Sequence, residues 1–159
     1  MSTEATIFLT IKGIEGESTR IKDAIEVTHF SWQESQSGQT FQGESINAGT
    51  VEMSSVGITT TLSKASPKLL LHCAKGTFFK EGATLMFKKA VTDKDPYLKI
   101  VLTPVMVSHY EVGASTGGIP TESFYLDFRK IEMEYKVESG GQPGGSIKGW
   151  YSLGEGKGG

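Results

Sequence analysis

Three histidines, one cysteine, a glycine-rich stretch and a carboxylate pair are the residues of this chain whose types could do chemistry. His29, His72 and His109 lie in three separate segments, with none of the HxH, HxxxH or HExxH spacings that bring two imidazoles onto one metal or beside one substrate. They read as structural or surface residues. Cys73 stands among apolar neighbours in Leu69 to Ala74, with nothing nearby in sequence to stabilise its thiolate, so a packing thiol is expected. The stretch Gly113 to Gly118, GASTGG, lacks the Lys-Ser/Thr pair of a phosphate-binding loop and precedes a strand pattern, so it reads as a connection. Glu132 and Glu134 alternate with Ile131 and Met133, which is the ordinary solvent face of an amphipathic strand. No catalytic site, metal site or cofactor is expected.

The elements around these residues explain more. Ile119 to Val137, IPTESFYLDFRKIEMEYKV, reads as one very long strand whose apolar face changes sides. Phe124, Leu126 and Phe128 are at even positions, and Ile131, Met133, Tyr135 and Val137 at odd ones. The period of two therefore holds on each side of Arg129-Lys130 and breaks there. Thr121 to Val137 fully extended would span about 56 Å, so a bend or bulge near Arg129 is expected, or else apolar contact on both faces, which would mean a partner. Similar changes occur at Ser54-Ser55, between Met53 and Val56, and at Pro104, between Leu102 and Val105. Phe30 and Trp32 lie on one parity of Ala24 to Gln36, and Ile25 and Val27 on the other. Such switches suit a tightly coiled barrel.

Ser66 to Lys75 is the one clear helix, with Ser66 as its expected cap, Pro67 at the first turn and Gly76 at the left-handed stop. Leu70, Cys73 and Ala74 are expected to face the sheet, flanked by Leu69. Gly38 to Gly49 reads as a long hairpin-like loop bearing Phe41 and Ile46, and loops of that length are often functional. A last strand is expected around Ile147 to Tyr151, before a flexible glycine-rich end at 153–159. The fold expected is mostly β, a compact antiparallel barrel with one short lateral helix, in a single domain over 159 residues.

Composition removes further classes. A formal net charge of -2, with both signs mixed along the chain, opposes nucleic-acid binding, which needs a concentrated basic face. The single cysteine allows no intrachain disulfide. The start, MSTEATIFLTIKG, has no basic segment followed by an apolar run, and no stretch approaches the ~18 apolar residues of a membrane span. A protein cytoplasmic when made, without a cleavable signal peptide and without membrane insertion, is expected.

Four segments in order resemble the Hcp family, the haemolysin-coregulated tube proteins of bacterial type VI secretion systems: IFLTIKGIEGEST at 7–19, IEVTHFSWQESQSG at 25–38, KASPKLLLHCAKG at 64–76, and YLKIVLTPVMVSHYEVGASTGG with PTESFYLDFRKIEMEY within 97–135. GSIKGWYSL at 145–153 resembles the family's closing Gly-Trp strand. The resemblance implies a non-enzymatic subunit of hexameric rings, stacked into the inner tube of a contractile injection apparatus. It implies a surrounding sheath, a spike protein and effector proteins as partners, with effectors held in the channel and the tube expelled from the cell. On the family pattern and by parity Ser31 is the channel-facing candidate. Phe41, Glu44 and Ile46 in the Gln39 to Gly49 loop are the ring-stacking candidates. Phe30, Trp32, Ile131, Met133 and Tyr135 are candidates for core or subunit interface, undivided between the two. A tail-tube protein of a contractile phage-like particle, or a small-ligand-binding β-barrel, are the alternative readings.

Overall fold

Short apolar runs separated by glycine and polar turns fold here into strands, and the computed structural model describes residues 6–40, 46–47, 49–90, 95–139 and 142–159, with backbone alone for 39–40, 46–47, 138–139 and 142–143. In chain order these are β1 (Ile7–Ile11), β2 (Ile25–Val27), β3 (His29–Ser31), β4 (Glu34–Gln36), β5 (Gln39–Thr40), β6 (Ile46–Asn47), β7 (Val51–Met53), β8 (Val56–Thr61), α1 (Ser66–Lys75), β9 (Phe78–Phe79), β10 (Ala83–Phe87), β11 (Leu98–Gly113), β12 (Thr121–Ser139), β13 (Gln142–Ser152) and β14 (Lys157–Gly158).

Every strand pairing is antiparallel, and the main path of neighbours runs β14-β13-β12-β11-β10-β1-β2. A branch carries β12 to β8 and β8 to β3. Since β3 follows β2 after the single residue Thr28, the pairings return towards β1 and outline the barrel. Thr28 spans the break by donating its N–H to the Thr59 carbonyl at 2.9 Å. Inside lies one apolar cluster, which includes Leu9, Ile11, Leu85, Ile100 and Leu102 from one side and Ile58, Phe124 and Leu126 from the other. Each such side chain contributes about 1.5–3 kcal/mol when fully buried.

The long strands answer the parity question in a way the sequence did not anticipate. The β11–β12 ladder keeps one register from Leu98↔Tyr135 through Leu102↔Ile131 and Val105↔Phe128 to Val107↔Leu126. No residue is inserted at Arg129, so the bulge expected there is absent. The irregularity comes later, between Val107 and His109. Both strands change apolar parity in step, at Thr103-Pro104 and at Arg129-Lys130, where proline has no N–H to give to the ladder. The neighbour of β12 changes at the same place: its other edge pairs β8 up to Leu126 and β13 from Lys130 onwards.

The helix has the expected bounds with a different rotation. Ser66 is its first residue and not the cap; Ala65 precedes it and caps with no side-chain hydrogen bond, while Ser66 Oγ accepts the Ser63 N–H at 2.9 Å. Gly76 closes the helix at φ 64°, ψ 40°, a left-handed conformation that glycine adopts without steric cost. Leu69 is buried and Cys73 half-buried, whereas Leu70 and Ala74 are exposed. The buried stripe starts from Ala65 and steps by four, which turns Leu70 outward.

The arm and the end of the chain extend the sheet. β4 pairs β7 and β5 pairs β6, so both described stretches of this part of the chain run as a two-stranded antiparallel arm. Residues 153–159 form a turn after which β14 pairs β13, with the Trp150 and Gly159 N–H groups each donating to the other's carbonyl at 2.9 and 3.0 Å.

Candidate functional site

Two outward surfaces of opposite chemistry stand on this frame. The first is built by β3, β8, β12 and the end of β11. Registers align His29, Thr59, Ser123 and Glu111 in one row and Ser31, Gly57, Tyr125 and His109 in the next, with Thr61 and Thr121 beyond them. The alternate residues Ile58, Thr60, Glu122, Phe124 and Leu126 point inward and are buried. The outward face is therefore small and hydroxylated. Its groups bond to one another: Thr59 Oγ1 and Ser123 Oγ lie 3.1 Å apart, and Ser55 Oγ and Ser108 Oγ both donate to Asp127 Oδ1, the latter at 3.0 Å. No lysine or arginine occurs in residues 29–31, 55–61, 106–113 or 121–127.

Ser31 sits in a depression of this face. The lining residues are Ser31, Trp32, Gln33, Ser54, Ser55, Gly57 and Tyr125, around a volume of about 390 Å³. Gly57 creates the room, since a Cβ there would stand 2.7 Å from Ser31 Oγ and 3.5 Å from the Tyr125 ring. His109 stacks on Tyr125 with centroids 5.0 Å apart and planes at 26°.

The second surface is apolar and belongs to the other half of the long strands. Cross-strand rows Leu102–Ile131–Tyr151, Ile100–Met133–Gly149 and Leu98–Tyr135–Ile147 lead from the core to the rim. Ile131 is buried, but Met133 is 39 %, Tyr135 45 % and Ile147 67 % exposed. Such a graded row of large apolar side chains is an unfinished hydrophobic contact. A cavity of about 250 Å³ opens where Trp32 and Met53 approach Ile131 and Met133. On the alternate positions the exposed Lys148 lies 3.4 Å from Glu134 and 3.9 Å from Glu132, both half-buried, in weak surface ion pairs.

The chain and its fold have counterparts among known proteins. The sequence profile described as "Type VI secretion system effector, Hcp" matches residues 8–135. The chain belongs to the Hcp family. A solved type six secretion system protein is similar at 28 % identity and TM-score 0.88, over 96 % of this chain and 98 % of that one. Hcp1 from Salmonella typhimurium is similar at 29 % identity and TM-score 0.80, over 96 % and 97 %. A type VI secretion system effector from Yersinia pestis is similar at 26 % identity and TM-score 0.76, over 92 % and 98 %. No curated protein matches the chain significantly.

In the Hcp fold the residues singled out from the sequence fall into distinct places. Ser31 is exposed in the hydroxylated depression, while Phe30 is half-buried against the core, edge-on to Phe87 at 5.3 Å. Trp32 is half-buried against Phe128 and sits between the two surfaces, lining both cavities. Ile131 belongs to the core; Met133 and Tyr135 belong to the apolar rim. Phe41 and Glu44 lie outside the described residues, and for Ile46 the backbone alone is described, within β6. His72 Nδ1 and Thr77 Oγ1 are 2.9 Å apart at the helix end. Among the described residues no three His, Cys, Asp or Glu are grouped to hold a metal ion, and no helix is long and apolar enough to cross a membrane.

Tyr125 and Gly57 escaped the sequence reading, and His109, read there as a structural or surface residue, was not joined to them. Nothing in their spacing links them, because the row that joins them crosses three strands. One residue of the site has an unusual polar atom. Trp32 Nε1 is buried with no hydrogen-bond partner among the described residues. Substituting Trp32→Phe removes that N–H and keeps an aromatic ring, so chemical denaturation is expected to show a change within about 1 kcal/mol of zero. A loss above about 2 kcal/mol would mean that the indole nitrogen makes a bond on which the fold depends.

Proposed function

We propose that the chain is a tube subunit of the type VI secretion apparatus, closing into hexameric rings that stack into the expelled inner tube. The observation that carries this reading is two separate exposed apolar patches beside a hydroxylated face on one barrel. A closed ring needs a heterologous contact, in which a patch on one subunit meets a different patch on the next. The Met133, Tyr135 and Ile147 rim supplies one apolar patch, and the exposed Leu70 and Leu71 of α1 supply another of similar chemistry elsewhere on the barrel.

The hydroxylated face is suited to the channel wall. Passengers held against small polar groups bury little apolar surface and can leave again, which a carrier requires and a tight binder does not. Ser31 is then a channel residue. The arm that carries β5 and β6 would reach the adjoining ring, with Phe41, Glu44 and Ile46 as its contact residues. Sheath, spike and effector proteins are the partners this role requires, and secretion proceeds by expulsion of the tube. The role is structural and needs no catalytic group, cofactor, nucleic acid or membrane insertion.

Light-scattering mass after size exclusion tests the ring. A species near six times 17.2 kDa is expected. A monomer at high concentration and low salt would overturn the reading.

A further inference from the structure

We propose that the depression beside Ser31 is a receptor for an arginine side chain carried by a passenger protein, with Tyr125 stacking on the guanidinium and the Asp127 carboxylate, behind Ser55, supplying the negative charge that attracts it. That the bearer is a passenger rests on the ring reading above; the chemistry of the depression does not.

Shape comes first. The volume of about 390 Å³ lies near the low end of the ~300–1,000 Å³ range of ligand pockets, so it takes one long side chain and not a helix or a strand. Tyr125 is 44 % exposed and is the one aromatic of the face directed outward from β12. His109, from β11, covers one side of its ring, and the side over Gly57, towards β8, borders the depression. A planar group entering beside Ser31 therefore meets a ring already held upright by a second ring. That arrangement favours stacking, since little side-chain freedom remains to be lost.

Charge selects the group. Asp127 and Glu111 are the acids of this face, and the segments that build it, residues 29–31, 55–61, 106–113 and 121–127, carry no lysine or arginine. An anionic ligand would be repelled and a cation attracted. Ser55 lines the depression and donates to Asp127 Oδ1, so the carboxylate is directly behind that wall. Serine hydroxyls and the Gln33 amide make the remaining lining polar, which opposes a purely apolar occupant. Of the two side chains that are cationic throughout the neutral range, guanidinium is the planar, weakly hydrated one, able to stack on an aromatic ring while donating in its own plane. Lysine would satisfy the charge but not the stack.

Each contact of this kind is weak and exposed to salt, so a single site would hold in the millimolar range. Six copies facing one channel would retain a passenger through several such contacts and still release it as each opens.

The test uses the full chain and two small probes, N-acetyl-arginine methylamide and N-acetyl-lysine methylamide. Chemical shifts of the Gly57 backbone N–H and the Trp32 indole N–H are followed by NMR during titration. Saturable shifts are expected with the arginine probe, and the lysine probe should bind about three-fold or more weakly. Tyr125→Leu and Asp127→Asn should each weaken arginine binding by about three-fold or more, while Tyr125→Phe, which keeps the ring, should preserve it. Equal binding of the two probes, binding untouched by both weakening variants, or no saturable shift would each overturn the proposal. Size-exclusion mass on the same samples separates the two readings. Hexamers without arginine binding overturn the receptor alone, and monomers with binding overturn the ring alone.

Discussion

Substituting Met133→Glu together with Ile147→Glu should convert the proposed hexamer into a folded monomer of 17.2 kDa. Both side chains are exposed in the single subunit, so replacing them removes little from its own core, and the isolated barrel should unfold within about 1 kcal/mol of the parent. In a ring the same positions would be covered by a neighbour. Each carboxylate would then have to leave water without a partner, at a cost of several kcal/mol even after relaxation. With 1.4 kcal/mol per factor of ten, two such groups weaken every subunit contact by about a thousand-fold or more. All six contacts are equivalent, so the loss applies at every one and the ring has no intact seam. The readout is mass by size exclusion with light scattering, alongside a denaturation curve to verify the fold. A double variant that stays hexameric would place the subunit contact on some other face.

The second large effect lies in the buried polar network behind the hydroxylated face. Glu122 is buried, accepting from Thr60 Oγ1 at 3.0 Å and from the Tyr110 hydroxyl at 2.5 Å. The Tyr110 hydroxyl is pushed up from 10.0 to about 12, chiefly by burial and then by the bond to Glu122 and its charge, with the Ser66 hydroxyl pulling the other way. The folded chain thus keeps this proton more tightly than the unfolded chain. Its contribution is present in full below pH 10 and is lost as pH rises from about 10 towards 12. Tyr110→Phe should remove that part of the alkaline slope. At neutral pH it should also cost about 1–3 kcal/mol, because Glu122 keeps Thr60 and loses its shortest bond. Urea denaturation from pH 8 to 12 on both proteins measures the difference, in which the lysine titrations cancel. Parallel pH slopes for parent and variant would show that Tyr110 does not carry the effect.

The Glu122 network also shows what can hide inside a strand pattern. By parity Glu122 is aligned with Phe124 and Leu126, an acid at a core position of an amphipathic strand. Only the arrival of Thr60 from β8 and Tyr110 from β11 makes that placement tolerable, since a buried carboxylate without donors would be prohibitive. The helix gave a milder example. Its bounds and its glycine stop were legible from Pro67 and Gly76, because caps are local chemistry. Its buried face was misjudged, as Leu69 and Leu70 are equally apolar and the choice between them depends on where the docked helix is rotated.

Strand character and the helix Ser66–Lys75 were legible because each rests on local spacing. So was the change of parity at Arg129-Lys130, a fact about which side chains are apolar. Its meaning was not legible. A bulge inserts a residue in one strand, whereas the observed switch occurs in both β11 and β12 at facing positions, with the register intact and the second neighbour of β12 changing from β8 to β13. Long-range pairing decides this, and pairing is invisible to periodicity within one strand. For the same reason Ser31 could be proposed from its own strand, while Tyr125, Gly57 and His109 could not, since residues on three different strands become neighbours only when the register between those strands is set.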